Sequence, residues 1–319
     1  MLCSLPLYKA LKKKYPSASV TLVASITNYP VPFKIINPFI DNVIFYDKSS
    51  LKTIFNFYRK LRQKKYLLGI VPSTVKVSTT SHIINFFSGA KVRVGVKRID
   101  GVKNPAYSLL NKSEDFNWTK NKVHQTVRNL QIAKLAGCEL LEDEVKCGLR
   151  IMQGDFEFAD NYIKKKFPSD NKYIIGFHPG AGKTANTWST ENFINLIETI
   201  YKRYSNYILI TCGEIDKNVI NRIDKELSRR GIKFVLADNL SILNLAAVLE
   251  KINLYITNDT GPMHIAAATS VNQISLMLPA NEYEWAPVGK NKYNIVSEPG
   301  DINSIKMEEV LKLVYKILT

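Results

Sequence analysis

Short runs of β-branched and aromatic residues alternate with amphipathic stretches along the whole chain of 319 residues. This alternation is typical of parallel α/β domains, in which a helix connects each strand to the next. Strands are predicted at 19–24, 42–46, 66–71, 91–94, 173–177, 207–212, 233–236, 254–257, 273–277 and 293–296. Helices are predicted between them, among them 5–15, 51–65, 123–136, 191–204, 217–230 and 242–250.

The length predicts two domains, since a domain typically takes roughly 100 to 200 residues. The polar stretch 167–172 is the best linker, so we expect doubly wound domains at 1–168 and 169–319 with a cleft between them. The chain opens directly on a predicted helix, whereas a doubly wound domain begins with a strand that becomes central in its sheet. We therefore expect a further strand upstream of Met1.

Positive charge is concentrated in the first half of the chain. Residues 1–170 carry 28 Lys and Arg against 13 Asp and Glu, whereas residues 171–319 carry 16 against 15. Basic clusters at 12–14, 59–65 and 164–166 would attract an anionic surface such as phospholipid, phosphorylated glycolipid or nucleic acid. Each single cluster is equally compatible with a solvated helix face.

No metal, disulfide or membrane-spanning signal stands out. The four cysteines (Cys3, Cys138, Cys147 and Cys212) form no C-x-x-C pair, and the four histidines lack metal-ligand spacing, so reduced, mostly buried cysteines and no metal are expected. No apolar run reaches about 18 residues, and the N-terminus lacks the order of a secretory signal. A cytoplasmic location is the expectation.

The most informative segment is residues 257–268, Thr-Asn-Asp-Thr-Gly-Pro-Met-His-Ile-Ala-Ala-Ala. A strand runs into a turn with Asp259, Thr260 and Gly261, and Pro262 then fits the first helical position. Backbone N–H groups at such a helix start suit a phosphate, and glycine lets the ligand approach closely. The alternative is an ordinary connection in which Asp259 or Thr260 only caps the helix.

Two further segments follow predicted strands. Residues 177–189 contain Gly180, Gly182 and Lys183, which suit a loop over phosphates, although the spacing fits neither common phosphate-binding fingerprint and a plain surface loop is the alternative. After the strand at 207–212, Glu214 could accept hydrogen bonds from a ribose diol or be an ordinary surface residue. Because ligands of open α/β sheets bind at the carboxyl ends of strands, these segments together favour one site.

The D-T-G-P-M-H-I-A-A-A segment at 259–268 resembles glycosyltransferase family 9, the lipopolysaccharide heptosyltransferases. Supporting stretches are the loop before Trp188, Trp-Ala-Pro at 285–287, L-K-K-K-Y-P-S-A-S-V-T-L-V at 11–23, N-P-F-I-D-N-V-I-F-Y-D at 37–47, Arg-Val-Gly at 93–95 and H-Q-T-V-R-N-L-Q-I-A-K-L-A-G at 124–137. The likeness covers nearly the whole chain, and the D-T-G segment is its most specific element.

The resemblance implies a GT-B architecture of two Rossmann-like domains facing across a cleft. It implies inverting transfer of a heptose or related sugar from an ADP-sugar to the lipopolysaccharide inner core on lipid A, without metal or cofactor. The C-terminal domain would hold the donor; the basic N-terminal domain would meet the anionic acceptor and the cytoplasmic face of the inner membrane. The expected donor-binding residues are Gly180, Lys183, Glu214, Asp259, Thr260, Gly261, Pro262, Met263 and His264. His264 could equally well pack.

Two positions depart from the family pattern. The lysine usual two residues before the loop tryptophan is Asn186 here, so Lys183 would have to supply that phosphate contact. The family's first strand ends in a Gly-Asp whose Asp is the expected catalytic base, and by this register that Asp precedes Met1. We therefore expect that the natural product begins upstream; otherwise this is an inactive, nucleotide-binding member.

Two other functions are weighed against this one. A GT-B enzyme with a UDP- or GDP-sugar is open, because nothing in the sequence identifies the base. A basic nucleic-acid-binding protein is disfavoured, because the basic clusters come with no recognition motif or interleaved stacking aromatics.

Overall fold

A computed structural model describes residues 2–28, 33–145, 148–170, 172–204 and 206–319. The chain divides into two compact units, Met1–Cys147 and Gly148–Thr319. Within the residues described, no helix combines the length and the apolar character needed to cross a bilayer.

The first unit contains parallel strands flanked by helices. Its strands are β1 Thr21–Ser25, β2 Asn42–Tyr46, β3 Leu68–Ile70, β4 Val92–Ile99, β5 Val102–Lys103 and β6 Lys112–Phe116. Its helices are α1 Leu5–Lys14, α2 Phe33–Ile36, α3 Leu51–Leu61, α4 Thr79–Phe87 and α5 Gln125–Lys134. β1 pairs with β2 in one parallel sheet, and β4 pairs in parallel with β3 and β6 and antiparallel with β5 in another.

The second unit contains one six-stranded parallel sheet. Its strands are β7 Ile174–His178, β8 Tyr207–Cys212, β9 Phe234–Asp238, β10 Leu254–Asn258, β11 Asn272–Met277 and β12 Lys292–Val296. Its helices are α6 Gln153–Lys166, α7 Thr190–Tyr204, α8 Lys217–Arg229, α9 Ile242–Leu249, α10 Gly261–Ala267, α11 Pro279–Trp285 and α12 Met307–Leu318. The order β12-β11-β10-β7-β8-β9 is doubly wound, with the switch point between β7 and β10.

The central strands of this sheet are buried on both faces. In β10, Leu254 and Ile256 pack into one apolar core, and Tyr255 between them packs into another on the opposite face. A strand buried on both sides reads as a continuous apolar run, which is why the sequence locates these strands well. All six strands predicted after residue 170 are present, with ends shifted by at most two residues.

The boundary between the units differs from the expected one at residue 168. The helix α6 belongs to the second unit, because it packs against α9 and places Ala159 and Phe158 in the same core as Ala246. The basic run 164–166 is therefore the last turn of a helix of the second unit. The polar stretch after it connects α6 to β7, and its Asn171 lies outside the described residues.

The loop after β7 is tied to the end of β10 by one buried asparagine. The Asn258 Nδ2 donates to the carbonyl oxygens of Pro179, at 2.9 Å, and Gly180, at 3.3 Å. Its Oδ1 accepts the backbone N–H of Trp188 at 3.1 Å. Trp188 is itself fully buried, and its indole Nε1 donates to the Ile305 carbonyl. Asn258 thereby fixes both ends of the 179–188 loop.

Replacing Asn258 with Asp should lower the free energy of unfolding by about 3 kcal/mol, because a buried carboxylate would face two carbonyl oxygens in place of the amide donor. Chemical denaturation measures this change. Asn218→Asp, at an exposed position near the start of α8, is the matched control and should change stability by less than about 0.5 kcal/mol. Equal stabilities of the two variants would refute the role given to Asn258.

Candidate functional site

A cavity of about 680 Å³ opens at the carboxyl ends of the strands in the second unit. Its walls come from the loops after β7, β8, β9 and β10 and from α11. It spans the switch point between β7 and β10, where the loops on the two sides diverge and leave a crevice. The sheet topology thus places the cavity where the sequence predicted a ligand.

Six of the nine predicted site residues line the cavity, and three do not. The lining residues are Lys183, Asp259, Thr260, Gly261, Pro262 and His264. Met263 of α10 is fully buried, so it contributes to the packing of the helix and not to the cavity. Gly180 is not among the lining residues and lies against Asp216, and Glu214 is exposed and absent from the lining. The D-T-G segment is therefore at the cavity, and the carboxylate that lines it after β8 is Asp216.

The carboxylate of Asp259 is clamped by two side-chain amides. Its Oδ2 accepts from Asn281 Nδ2 at 2.6 Å and from Asn186 Nδ2 at 3.2 Å. Burial raises the pKa of Asp259 above the usual range, although the Asn281 hydrogen bond and the nearby Lys183 ammonium oppose that shift. Asn186 stands where the family pattern has a lysine. Its neutral amide holds the Asp259 carboxylate in place without neutralising the carboxylate charge.

The turn before α10 leaves its backbone open to the cavity. Thr260 is the N-cap, yet its hydroxyl makes no capping bond and instead donates to the Asn258 carbonyl at 3.4 Å. Asp259 is engaged by the two amides, so neither side chain caps the helix as the alternative interpretation required. A Cβ placed on Gly261 would meet no atom within 4 Å. The space in front of Gly261 is available to a ligand.

Asp216 is the carboxylate that faces the cavity after β8. Its Oδ2 accepts the Gly213 N–H at 2.9 Å and lies 3.9 Å from His178 Nε2. A Cβ on Gly180 would overlap this carboxylate, so glycine is required there for packing against Asp216 and not for contact with a ligand. Asp216 lies two residues beyond Glu214, and no local pattern distinguishes the two, because a short 3₁₀ turn over Glu214–Asp216 decides which carboxylate points inward.

His178 forms a buried polar contact beneath the cavity. Its Nδ1 lies 3.0 Å from Thr211 Oγ1, which is 2.7 Å from the Tyr255 hydroxyl. Desolvation lowers the pKa of His178 despite the Asp216 carboxylate, so the neutral imidazole is favoured.

Burial together with the Asp238 and Asp216 carboxylates raises the pKa of Cys212 to about 11, which keeps this cavity-lining thiol protonated near neutral pH.

The far side of the cavity is apolar, and the sequence analysis did not identify it. It is formed by Ile215, Ala237, Leu240, Ile242, Leu245 and Ile265. Ile215 is 77% exposed although it lines the cavity, so its side chain presents an apolar surface at the entrance. An apolar wall beside a few directed polar groups is typical of sites for flat organic ligands. Its residues come from three separate stretches of the chain, which is why no local pattern revealed it.

The segment between β11 and β12 contributes two residues for which no role at the site was predicted. Asn281 and Trp285 both belong to α11 and line the cavity. The Trp285 ring lies edge-on to the His264 ring with centroids 5.9 Å apart. His264 therefore both packs against an aromatic ring and borders the cavity.

Metal-ligating clusters are not found in the described part of the chain, where no three His, Cys, Asp or Glu side chains converge. Cys3, Cys138 and Cys212 are unbridged thiols. Cys147 lies outside the described residues.

Sequence comparisons place the chain among sugar transferases. It is 26% identical over 120 residues to lipooligosaccharide heptosyltransferase 2 of Campylobacter jejuni, which is 37% of each chain. It is 27% identical over 155 residues to the lipopolysaccharide core heptosyltransferase OpsX of Haemophilus influenzae, which is 48% of this chain and 42% of that one. The chain thus spans less than half the length of these curated relatives.

Solved structures share the fold over nearly the whole chain. A glycosyltransferase of family 9 from Veillonella parvula has a TM-score of 0.78 at 17% identity, covering 99% of this chain and 93% of that one. The Escherichia coli ADP-heptose lipopolysaccharide heptosyltransferase II has a TM-score of 0.77 at 19% identity, covering 100% and 95%. At such identities the likeness concerns the fold, and it confirms the predicted GT-B class of two Rossmann-like domains.

A match to a family model over most of the chain establishes the family. The model of glycosyltransferase family 9 (heptosyltransferase) matches residues 54–314, which is most of the chain and includes the D-T-G segment at the cavity. The chain therefore belongs to glycosyltransferase family 9, the heptosyltransferase family.

Proposed function

We propose that this protein is an inverting glycosyltransferase that moves a heptose, or a related sugar, from an ADP-sugar to the lipopolysaccharide inner core on lipid A. The observation that carries the proposal is the layout of the cavity: the D-T-G turn, a carboxylate and an apolar wall surround one space in a member of this family. The sugar nucleotide is a substrate, and the proposal includes no metal or cofactor.

Each part of the cavity suits one part of the donor. The apolar wall with Leu240 and Ile265 suits the base, and the Asp216 carboxylate suits the ribose diol. The open backbone at Thr260 and Gly261, with Lys183 nearby, suits the diphosphate. Asp259, held by Asn186 and Asn281, then lies where the transferred sugar would present its hydroxyl groups.

The chemistry proposed is a displacement at the anomeric carbon. The acceptor hydroxyl attacks that carbon and loses its proton to a carboxylate base, and the nucleoside diphosphate leaves with inversion. The backbone N–H groups of Thr260 and Gly261 and the Lys183 ammonium would stabilise the charge that develops on the diphosphate. In this proposal the residues that line the cavity act on the donor.

The basic first unit suits the acceptor side. Residues 1–147 carry 24 Lys and Arg against 9 Asp and Glu, whereas residues 148–319 carry 20 against 19. A positive surface would attract a phosphorylated glycolipid and an anionic leaflet. We propose on this basis a peripheral position on the cytoplasmic face of the bacterial inner membrane, with no nucleic acid as partner.

The proposal is tested by measuring nucleotide release from ADP-heptose in the presence of lipid A carrying the inner-core acceptor. Acceptor-dependent release of ADP is expected. Release from a UDP- or GDP-sugar instead would favour the other donor class. Binding of ADP without any transfer would favour the inactive, nucleotide-binding alternative.

Gly261→Val should weaken ADP binding at least about tenfold, because the side chain would occupy the space through which the diphosphate approaches. The fold should be unaffected, since a Cβ there meets no neighbour. Calorimetric titration with ADP measures the change. Gly154→Val, at an equally open position in α6, is the control and should bind ADP like the parent. Unchanged affinity in a folded Gly261→Val would reject the assignment.

Lys183→Ala should reduce the affinity for ADP about three- to tenfold and leave that for adenosine unchanged, because an exposed ammonium contributes only a modest, salt-screened attraction to phosphate. Titrations with both ligands at low and high salt separate the phosphate contribution. Lys225→Ala, an exposed lysine on α8, is the control. An equal loss for ADP and adenosine would contradict a phosphate contact.

The affinity for an ADP-sugar should fall as the pH is lowered. The fall should begin above the pH range in which an ordinary Asp side chain becomes protonated. The carboxylate of Asp259 must be ionised to accept from sugar hydroxyls, and burial raises its pKa, so protonation weakens binding as the pH falls. Titrations from neutral pH down through the usual Asp range measure this dependence. Asp259→Asn should bind more weakly and lose the dependence, whereas Asp224→Asn, on the exposed side of α8, should keep it. An unaltered pH profile in Asp259→Asn would exclude this role.

A further inference from the structure

One stretch of the first unit carries positive charge only. Residues 48–99 contain twelve Lys and Arg and no Asp or Glu. They form α3, β3, α4 and β4. Arg98 is paired with Asp115 of β6 at 3.3 Å. Six further cations, Lys52, Arg59, Lys60, Arg62, Lys64 and Lys65, have no ion pair with any residue that the structure describes. Within the described part of the chain their charge is therefore balanced by solvent ions alone, which leaves it available to an anionic partner.

The same stretch exposes a connected apolar surface. On α3, Leu51 is 86% exposed and Phe55 69% exposed, and their i, i+4 spacing places them on one side of the helix. That side continues to Tyr58, whose ring lies 5.7 Å from the ring of Phe87 on α4. Phe87 is 47% exposed, and its ring lies 5.5 Å from that of Phe86, which is 42% exposed.

The orientation of α3 is fixed by the opposite side of the helix. Phe57 and Leu61 are buried, and the Phe57 ring lies 4.9 Å from that of Tyr46 on β2. Turning α3 to hide Leu51 and Phe55 would therefore expose Phe57 and Leu61. The apolar surface cannot be removed by a local rearrangement without loss of core packing, so it is a stable feature of the unit.

The interface of an anionic bilayer binds protein surfaces on which exposed Leu and Phe side chains lie beside unpaired Lys and Arg. There the apolar side chains enter the boundary between headgroups and acyl chains, and the cations contact lipid phosphates. We propose that the lipid-docking face, defined as Leu51, Phe55, Phe86 and Phe87 with the six cations of 52–65, binds this protein to an anionic phospholipid surface. The proposal rests on the membrane position in the proposed function and specifies the surface that makes contact.

Charge decides against a second copy of the chain as occupant. A two-fold interface places the same surface against itself, so the six cations would face six cations of the partner without any acidic residue from 48–99 to compensate. Duplex nucleic acid would satisfy the cations but would leave Leu51 and Phe55 in water, since phosphate contacts use charge alone. An anionic bilayer satisfies both the cations and the apolar side chains.

Co-sedimentation with vesicles tests the proposal on the full chain. The parent protein should sediment with vesicles of equal parts phosphatidylcholine and phosphatidylglycerol, and much less with phosphatidylcholine alone. Phe55→Gln should reduce the partition coefficient about tenfold, because one large apolar side chain no longer enters the interface. Val288→Gln removes an apolar side chain that is 75% exposed in the second unit, and it should bind like the parent. Both sites are exposed, so both variants should fold.

A tryptophan in place of Phe55 reports directly whether the side chain at this position enters the bilayer. In Phe55→Trp, the added fluorescence should shift to shorter wavelength with anionic vesicles, and it should not shift with duplex DNA. Equal vesicle binding by the parent and Phe55→Gln, or an unshifted emission, would overturn the proposal. Tight DNA binding that is indifferent to Phe55→Gln, without vesicle binding, would overturn it in favour of nucleic acid. ADP titrations on the same preparations test the donor site separately.

Discussion

The site in the second unit depends on the side chain of Asn258, the last residue of β10. A buried amide at the end of a central strand must find both acceptors and donors, and here they come from the loop that follows the neighbouring strand β7. That loop carries Lys183 and Asn186 to the cavity, and Asn186 in turn holds Asp259. The parallel pairing of β7 with β10 at the switch point brings these groups together, so sheet topology and one asparagine together position the proposed diphosphate and sugar contacts.

The two units differ in the kind of partner that their surfaces suit. The second unit is almost neutral and presents a cavity whose polar groups are held by internal hydrogen bonds, which suits recognition of one small molecule. The first unit carries nearly all the excess charge, with a one-signed stretch that also exposes Leu51 and Phe55. Such a surface suits an extended anionic partner, where many weak contacts replace a few directed ones.

The strands and the D-T-G turn could be predicted because their signals are local. Leu254–Asn258 is a fully buried strand that begins with three apolar residues, and Gly261 and Pro262 follow it in the order that a helix start requires. Asp216 lines the cavity and Glu214 does not, because a single 3₁₀ turn decides which of the two points inward, and that turn has no distinct sequence pattern. The domain boundary was placed too late because the packing of α6 on α9 is a long-range contact. Asn281 escaped notice for the same reason, since its partner Asp259 is 22 residues away.

We propose that the cavity of the second unit holds the diphosphate of the sugar-nucleotide donor. A crystal structure of the protein with ADP bound would locate the nucleotide. We expect the diphosphate to lie against the backbone of Thr260 and Gly261, with the ribose hydroxyls on Asp216 and the base against Leu240 and Ile265. Density for ADP elsewhere, or a diphosphate that contacts neither Thr260 nor Gly261, would contradict it.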